Sequence, residues 1–573
     1  LLGGESVATL STTSPSGSWQ ERRLIFEAML LGVVGALSAQ LFSLMVKLCQ
    51  TVFLTGITGY RPPGLPEEGG LLLEVSGARG PWLIPLVTML GGLISGVIVY
   101  TFAPEAEGHG TDSAIKAYHT AGGLIRARVP LLKMLASAIT IGSGGAAGRE
   151  GPTALIAAGV GSVYATVTRR TVQQRRLLLL AGMAAGLSAM FRSPMGAALF
   201  AIEVLYSEME LEAGALLYTM LASIVAYTVN GVFDGWHPLF TVPDLPIPSA
   251  PEHLWYVVMG AASGLVASSI GVVFYKIRDA FVKIPISPKL KPALGGLGLG
   301  ILALSLPQVL GGGYGWIQQA IDGKLPERLL LVLLVAKIVA LSLTISSGGS
   351  GGVFAPCLFV GAMLGAAFAH AFKLPPSGFV VVGMAAVFGG AARAPIATIL
   401  MVTEMTGDYH LLPAAALAVT VSHVVQAGVT LPFKYKSLYE AQVPRRVDSP
   451  AHTVEHVQAV LRHIRLDPST EGASLGRVEL HSLLKSGIAV DLGAEHELVV
   501  VTLEPGSPVL GRPATLASLA VGGEKIQLLA LIREERVILP GPETTLAAGD
   551  ELLIAAPAGS IKPLCERVGL TTR

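Results

Sequence analysis

Long runs without Asp, Glu, Lys or Arg occupy residues 80–104, 213–233, 254–275, 293–321, 338–372 and 411–433. About 20 apolar residues cross the hydrocarbon of a bilayer, so each run is long enough for a membrane-spanning helix. Shorter apolar stretches at 177–191 and 374–392 lie between them. Gly and Pro interrupt many of these segments, which predicts broken or re-entrant helices rather than simple rods, on the order of 10 to 18 pieces in all.

The flanks have a different character. Residues 1–20 are rich in Ser, Thr and Gly and predict a disordered tail without the pattern of a secretory signal. Arg22 and Arg23 precede the first apolar stretch, and Lys434, Lys436, Arg445 and Arg446 follow the last. Basic residues favour the cytoplasmic side, which places both ends of a membrane domain at 21–442 in the cytoplasm and suggests a plasma (inner) membrane protein. From about residue 443 the composition is that of a soluble domain. Ser449 and Pro450 can open a helix whose apolar positions Val454, Val457, Val460, Leu461 and Ile464 recur at helical spacing. This defines a linker with a helix at 443–494. Short β-branched runs at Glu497–Leu503, Lys525–Arg533, Val537–Leu539 and Glu551–Ala555 then predict a small α+β module at 495–573.

Composition agrees with the pattern. Of 573 residues, 51% are hydrophobic and 14% charged, with a mean hydropathy of +0.62. Soluble domains carry about 25% charged residues, so the fold class is an all-α polytopic membrane protein with a small α+β cytoplasmic domain. The 68 glycines suit close helix packing in lipid. A net charge of +1 leaves no basic field for nucleic acid. Three scattered cysteines, Cys49, Cys357 and Cys565, give neither a disulfide framework nor a metal cluster. No nucleophile–base pair or phosphate-binding loop points to an enzyme.

The membrane part repeats itself. The stretch SGGAAGREGP at 143–152 falls without gaps on SGGSGGVFAP at 347–356, and Lys133 falls on Lys337 at the same offset. Further on, GMAA at 182–185 matches 383–386, and Arg192, Pro194 and Glu203 fall on Arg393, Pro395 and Glu404. Chance similarity between apolar helices would preserve Leu and Ala, not sparse polar and Pro positions. Repeats broken at corresponding places point to a transporter with its site between the halves.

The broken segments carry the chemistry. Gly148 to Pro152 has the features of a helix start, with Leu155, Ile156 and Val160 carrying the helix onward, and Gly351 to Pro356 builds a second start. Unpaired N–H groups and the positive end of the helix dipole make such an end an anion site without formal charge. Two converging ends would hold a small dehydrated anion weakly enough to release it. An intramembrane carboxylate is costly and usually functional, so Glu150 can occupy the anion position until it is protonated. The plainer alternative is an ion pair with Arg149 or a dipole partner at the helix start. For Glu203 and Glu404, structural helix-end pairing with Arg192 and Arg393 is the expectation.

With GREGP at 148–152, GGVFAP at 351–356 and EMTGDY at 404–409, residues 25–442 resemble the CLC chloride channel and transporter family. The resemblance implies a homodimer with one anion pathway per subunit, built from inverted repeats of broken and re-entrant helices. It makes Glu150 the external gate. It implies an anion-binding set of His109, Gly110, Arg149, Gly151, Val353, Phe354, Ala355 and Tyr439, the amides of Val353 and Phe354 lining the central position. Without the resemblance, Tyr439 would read as an interfacial aromatic near Lys434 and Lys436.

Two departures bear on function. The family's Gly-Ser-Gly-Ile-Pro stretch stands here as Gly108, His109, Gly110, Thr111 and Asp112. Either the imidazole of His109 faces the pathway and donates to the anion, or it turns away while Thr111 or Asp112 caps the next helix. The choice bears on selectivity for chloride over nitrate or other small anions. Secondly, the position after Glu203, where many family exchangers carry a proton-relaying glutamate, is Val204. Valine carries no proton, which favours channel-like chloride flow over chloride/proton antiport.

Gly511, Arg512 and Pro513, then Ile532 and Arg533, Pro540, and the run from Ala548 to Ile554 resemble a TrkA-C (RCK-C) domain over about 495–570. That resemblance implies dimerisation and a small regulator, with cyclic di-AMP in the ligand class and no other cofactor. The nearby His452, His456, His463, His481 and His496 lack paired zinc spacing and read as solvated surface. Because such modules also regulate monovalent cation transporters, that class is the alternative. A cation pathway wants carbonyl rings or acidic clusters in the membrane, and helix-start glycines offer neither.

Overall fold

The computed structural model describes residues 15–65, 71–76, 81–243, 247–452, 490–493, 496–513, 527–533, 536–538, 544–557 and 570–572. Two compact units divide the chain, one ending at Arg446 and one beginning at Val447.

The first unit is helical and falls into two sets of eight. The first set is α1 (Pro15–Gln50), α2 (Ile84–Phe102), α3 (Thr111–Thr120), α4 (Arg128–Gly142), α5 (Glu150–Val167), α6 (Val172–Phe191), α7 (Pro194–Glu203) and α8 (Leu216–Asp234). The second is α9 (Ala250–Lys283), α10 (Lys291–Ser305), α11 (Tyr314–Ile321), α12 (Glu327–Ile345), α13 (Phe354–Phe372), α14 (Pro376–Ala392), α15 (Pro395–Thr406) and α16 (Leu412–Thr430). Helix α1 begins inside the stretch expected as a tail, with Pro15 at the first helical position, where proline's fixed φ is favourable. Wider turns extend α1 through Thr58, and a two-residue pair of β1 (Tyr60–Arg61) with β2 (Val75–Ser76) follows. Among the described residues, seven helices are long and apolar enough to cross a membrane, the first at Arg22–Thr58. The charge-free run 338–372 proves to be the end of α12, a glycine-rich break and α13, not one span.

The sets pack alike: α5 on α6 and α13 on α14, α1 on α8 and α9 on α16. Small residues permit the tightest of these contacts. Gly182 on α6 faces the backbone of Ala157 and Gly161 on α5, as Gly383 on α14 faces Gly361 and Gly365 on α13. Where the sets meet, their contacts are reciprocal. The N–H of Gly148 donates to the carbonyl of Gly352, and that of Gly352 to the carbonyl of Gly148, both at 2.8 Å. Because this bridge is antiparallel and each half does to the other what the other does to it, the halves are inverted repeats about a two-fold relation.

Glu203 and Glu404 follow the same logic, and here the expected pairing is corrected. Glu203 ends α7, and its carboxylate accepts the N–H groups of Ile396 (3.0 Å) and Ala397 (2.6 Å) in the first turn of α15. Glu404 on α15 accepts from Met195 (3.1 Å), Gly196 (2.9 Å) and the Ser193 hydroxyl (2.5 Å) at the start of α7. Each glutamate thus caps the short helix of the other repeat, because Pro194 and Pro395 open those helices with donors no intrahelical acceptor can reach. Arg192 and Arg393 bond elsewhere. Arg192 meets His237 Nδ1 at 2.6 Å. Arg393 donates to Gln426 (3.1 Å) and Thr430 (3.0 Å).

Among the described residues, the second unit holds six strands: β3 (Val490–Gly493), β4 (His496–Leu503), β5 (Gln527–Arg533), β6 (Arg536–Ile538), β7 (Glu551–Pro557) and β8 (Leu570–Thr572). They form an antiparallel sheet in the order β3-β4-β7-β5-β6, with β8 also on β4. Strand β3 lies before residue 495, so the sheet takes in chain that the sequence assigns to the linker. Asp550, fully buried in the turn before β7, accepts two 2.7 Å bonds from Arg533 and a third from the N–H of Ala547. Ser449 Oγ accepts the N–H of Ala451 at 3.1 Å, and residues 450–452 are helical. The helix expected through Ile464 and its apolar positions lie outside the described residues, as do residues 1–14, His456, His463, His481, Pro540 and Cys565. His452 is buried rather than solvated, since its N–H closes a 3.0 Å turn onto the Ser449 carbonyl in a segment where Ser449 and Ala451 are also buried.

Removing the Glu203 carboxylate orphans two helix-start donors in the protein interior. Glu203→Ala is expected to destabilise the membrane unit by roughly 2–3 kcal/mol, read as a lower thermal midpoint in detergent; an unaltered midpoint would mean that the start of α15 is capped otherwise.

Candidate functional site

The Gly148–Gly352 bridge brings the first turns of α5 and α13 together. Glycine is required by close approach: a Cβ on Gly352 would stand 2.8 Å from the Gly148 carbonyl oxygen and 2.9 Å from the Gly151 nitrogen. Arg149 and Val353 occupy the caps, and neither helix start is capped by a side chain. The first N–H groups of both helices therefore converge on one buried spot with positive partial charge.

Glu150 points into this spot. Its side chain is fully buried. Oε1 accepts a hydrogen bond from the Tyr314 hydroxyl at the start of α11, while Oε2 has no hydrogen-bond partner among the described residues. The Arg149 guanidinium and the backbone N–H of Ala355 also act on this carboxylate. The charge of Arg149 is thus one of several influences on Glu150 rather than the whole of its surroundings.

His109 and Tyr439 form a second cluster. Their rings meet edge to face with centroids 5.2 Å apart, and Phe274 lies 6.3 Å from the imidazole. His109 is 8% exposed and its Nδ1 has no partner. Neither Thr111 nor Asp112 caps α3: Gly110, at φ 85°, is the cap residue and receives no side-chain bond. The Asp112 carboxylate reaches instead to the N–H of Ala441, 2.8 Å away, on the segment that carries Tyr439. Tyr439 is buried, bonds toward Thr111 and lies within electrostatic reach of both Asp112 and Glu150. It is therefore no interfacial aromatic, since Ser437 Oγ accepts its N–H at 3.2 Å and turns it inward.

Phe354 opens α13 against Phe388 (3.8 Å), Phe191 (4.3 Å) and Phe200 (5.8 Å). Phe200 in turn approaches Tyr439 at 6.5 Å, so an aromatic wall joins the two clusters. Gly151 stands beside the His109 carbonyl, which places the 108–110 loop against the start of α5. Two fully buried lysines hold the loops before α3 and α11. Lys133 donates to the carbonyls of Ala106 (3.0 Å) and Gly108 (2.7 Å), and Lys337 to those of Val309 (2.8 Å) and Gly311 (2.6 Å). Val204, buried at the end of α7, presents its carbonyl to the Gln442 amide at 2.9 Å and offers no titratable group.

Sequence reasoning missed Tyr314. Its signal was present: the glycines at 311–313 precede α11 as Gly108 and Gly110 precede α3, which puts Tyr314 at the repeat position of Thr111. A cavity of about 480 Å³ leads to this tyrosine, lined among others by Lys47, Arg61, Gly148 and Arg149.

These features define a class: a membrane transport protein of two inverted halves, with an anion-attracting centre where their broken helices meet. Comparison with known proteins agrees. The sequence profile described as voltage gated chloride channel matches residues 91–427, and the chain belongs to that family. The TrkA-C domain profile matches residues 498–569. The voltage-gated ClC-type chloride channel ClcB of Salmonella typhimurium is 30% identical over 415 residues, which is 70% of this chain and 95% of that protein. A putative chloride channel protein, ClcB-like, from Ralstonia nicotianae is 30% identical over 366 residues, covering 62% and 85%. Among solved structures, a slow cyanobacterial Cl-/H+ antiporter superposes with a TM-score of 0.62 at 21% identity, covering 73% of this chain and 96% of that one. A CLC-type fluoride/proton antiporter gives 0.62 at 22% identity, covering 76% and 100%. Both establish the shared fold.

His109→Ser exchanges a ring N–H for a smaller hydroxyl beside Tyr439. The ratio of chloride to nitrate flux in liposomes is expected to change several-fold, whereas an identical ratio would mean that the imidazole does not touch the anion.

Proposed function

We propose that this protein transports chloride across the membrane, through one pathway in each subunit of a homodimer, with protonation of Glu150 opening the way. The observation that carries this reading is the buried Glu150 carboxylate at the meeting of two helix starts, with one oxygen unpaired among the described residues. A negative group held there by backbone donors stands in for a small anion. Neutralising it removes its claim on the donors and frees the position for chloride. His109, Gly110, Arg149, Gly151, Val353, Phe354, Ala355 and Tyr439 are the residues proposed to meet the anion.

The flow is channel-like, on the ground that Val204 supplies no proton acceptor next to Glu203. Chloride/proton antiport is the second reading, favoured by the proton-coupled fold relatives. Both termini lie in the cytoplasm of a plasma-membrane protein. The TrkA-C domain binds a small regulator of the cyclic di-AMP class, and direct titration of that nucleotide against the full chain tests this.

In Glu150→Gln, flux is expected to become nearly independent of external pH; pH dependence like that of the parent would remove Glu150 from the gate. For the transport mode, the reversal potential is measured across a pH gradient at equal chloride. An unmoved reversal potential is the channel outcome, and a clear shift establishes antiport.

A further inference from the structure

Tyr314 belongs to none of the residues assigned so far. Its ring has two neighbours, the Arg149 guanidinium, 5.6 Å from the centroid, and the Phe240 ring at 5.8 Å. Its hydroxyl donates to Glu150 Oε1. The loop before it is fixed by Lys337 through the carbonyls of Val309 and Gly311. Tyr314 also lines the cavity of about 480 Å³, together with Gly148 and Arg149. An anion entering that cavity therefore meets the tyrosine, whose hydroxyl is bonded to the buried carboxylate of Glu150.

We propose that Tyr314 is the latch of the gate: its hydroxyl holds ionised Glu150 across the pathway and sets the external pH at which the gate lets go. A phenol donating to a carboxylate makes a charge-assisted bond, stronger than one to the neutral acid. Protonation of Glu150 weakens the bond and releases the side chain. The other groups that act on the carboxylate are Arg149 from its own helix start, the Ala355 N–H from α13 and, at longer range, Tyr439. The ammonium groups of Lys133 and Lys337 are engaged by loop carbonyls. Tyr314 is the positioning residue among these, and the proposal rests on the reading of Glu150 as gate.

Tyr314→Phe keeps the ring beside Arg149 and Phe240 and removes only the donor. The ionised form then loses support, so protonation comes at higher pH. The midpoint of flux against external pH is expected to rise by about one to two units, the span of a hydrogen bond to a charged group. In a Glu150→Gln background the same substitution should leave the pH profile alone, because the latch has nothing to hold. A midpoint unmoved or lowered in Tyr314→Phe overturns the latch while the gate stands. Retained pH dependence in Glu150→Gln overturns the gate itself. Should Tyr314→Phe carry no flux, infrared titration of the carboxyl band that disappears in Glu150→Gln reads the same shift, and an unshifted band overturns the proposal.

Discussion

Everything in the membrane unit is arranged around the meeting of two helix starts. An α-helix leaves its first four N–H groups without intrahelical partners, and in hydrocarbon no water is present to satisfy them. Bringing two such ends together in the interior would be unfavourable unless something negative lay between them. Gly148 and Gly352 allow the approach by exchanging backbone hydrogen bonds at 2.8 Å, a distance that leaves no room for side chains. The outcome is a pocket of positive partial charge, the kind of place where a negative group is stabilised. The Glu150 carboxylate lies in that field, and its fully buried position is explained by it.

The surrounding scaffold repeats one device. At two pairs of corresponding breaks, a polar side chain from a neighbouring element satisfies the exposed backbone. Glu203 and Glu404 cap each other's short helices, and Lys133 and Lys337 collect the carbonyls released before α3 and α11. Buried charges are tolerated because each meets two or more backbone dipoles of opposite sign. The loops before α3 and α11, next to His109 and Tyr314, are positioned by lysines at equivalent places in the two repeats.

The repeats are equivalent in frame but not in chemistry. The first contributes Glu150, and at its place the second has Phe354, packed among Phe191, Phe200 and Phe388. The first places His109 against Tyr439, and the second places Tyr314 against Glu150. A symmetric framework thus holds an asymmetric site, with a titratable group at the helix start of one repeat and an apolar aromatic ring at the equivalent place in the other.

Much of this was legible in the chain. Charge-free runs located the membrane segments because hydrocarbon excludes charge, and the gapless match of 143–152 to 347–356 revealed the repeat because backbone breaks demand Gly and Pro. Short β-branched runs located β4, β5, β6 and β7. Contacts were not legible. Glu203 and Glu404 stood at matching positions beside Arg192 and Arg393, yet both carboxylates bond to helix starts about two hundred residues away. Asp112 stood where a cap belongs and bonds to Ala441; His452 looked solvated and is buried; Tyr314 drew no notice although it touches Glu150. Local sequence determines where a helix can begin and which face is apolar, since those depend on residues a few positions apart. Which donor meets which acceptor depends on how whole helices pack, and only the folded chain fixes that.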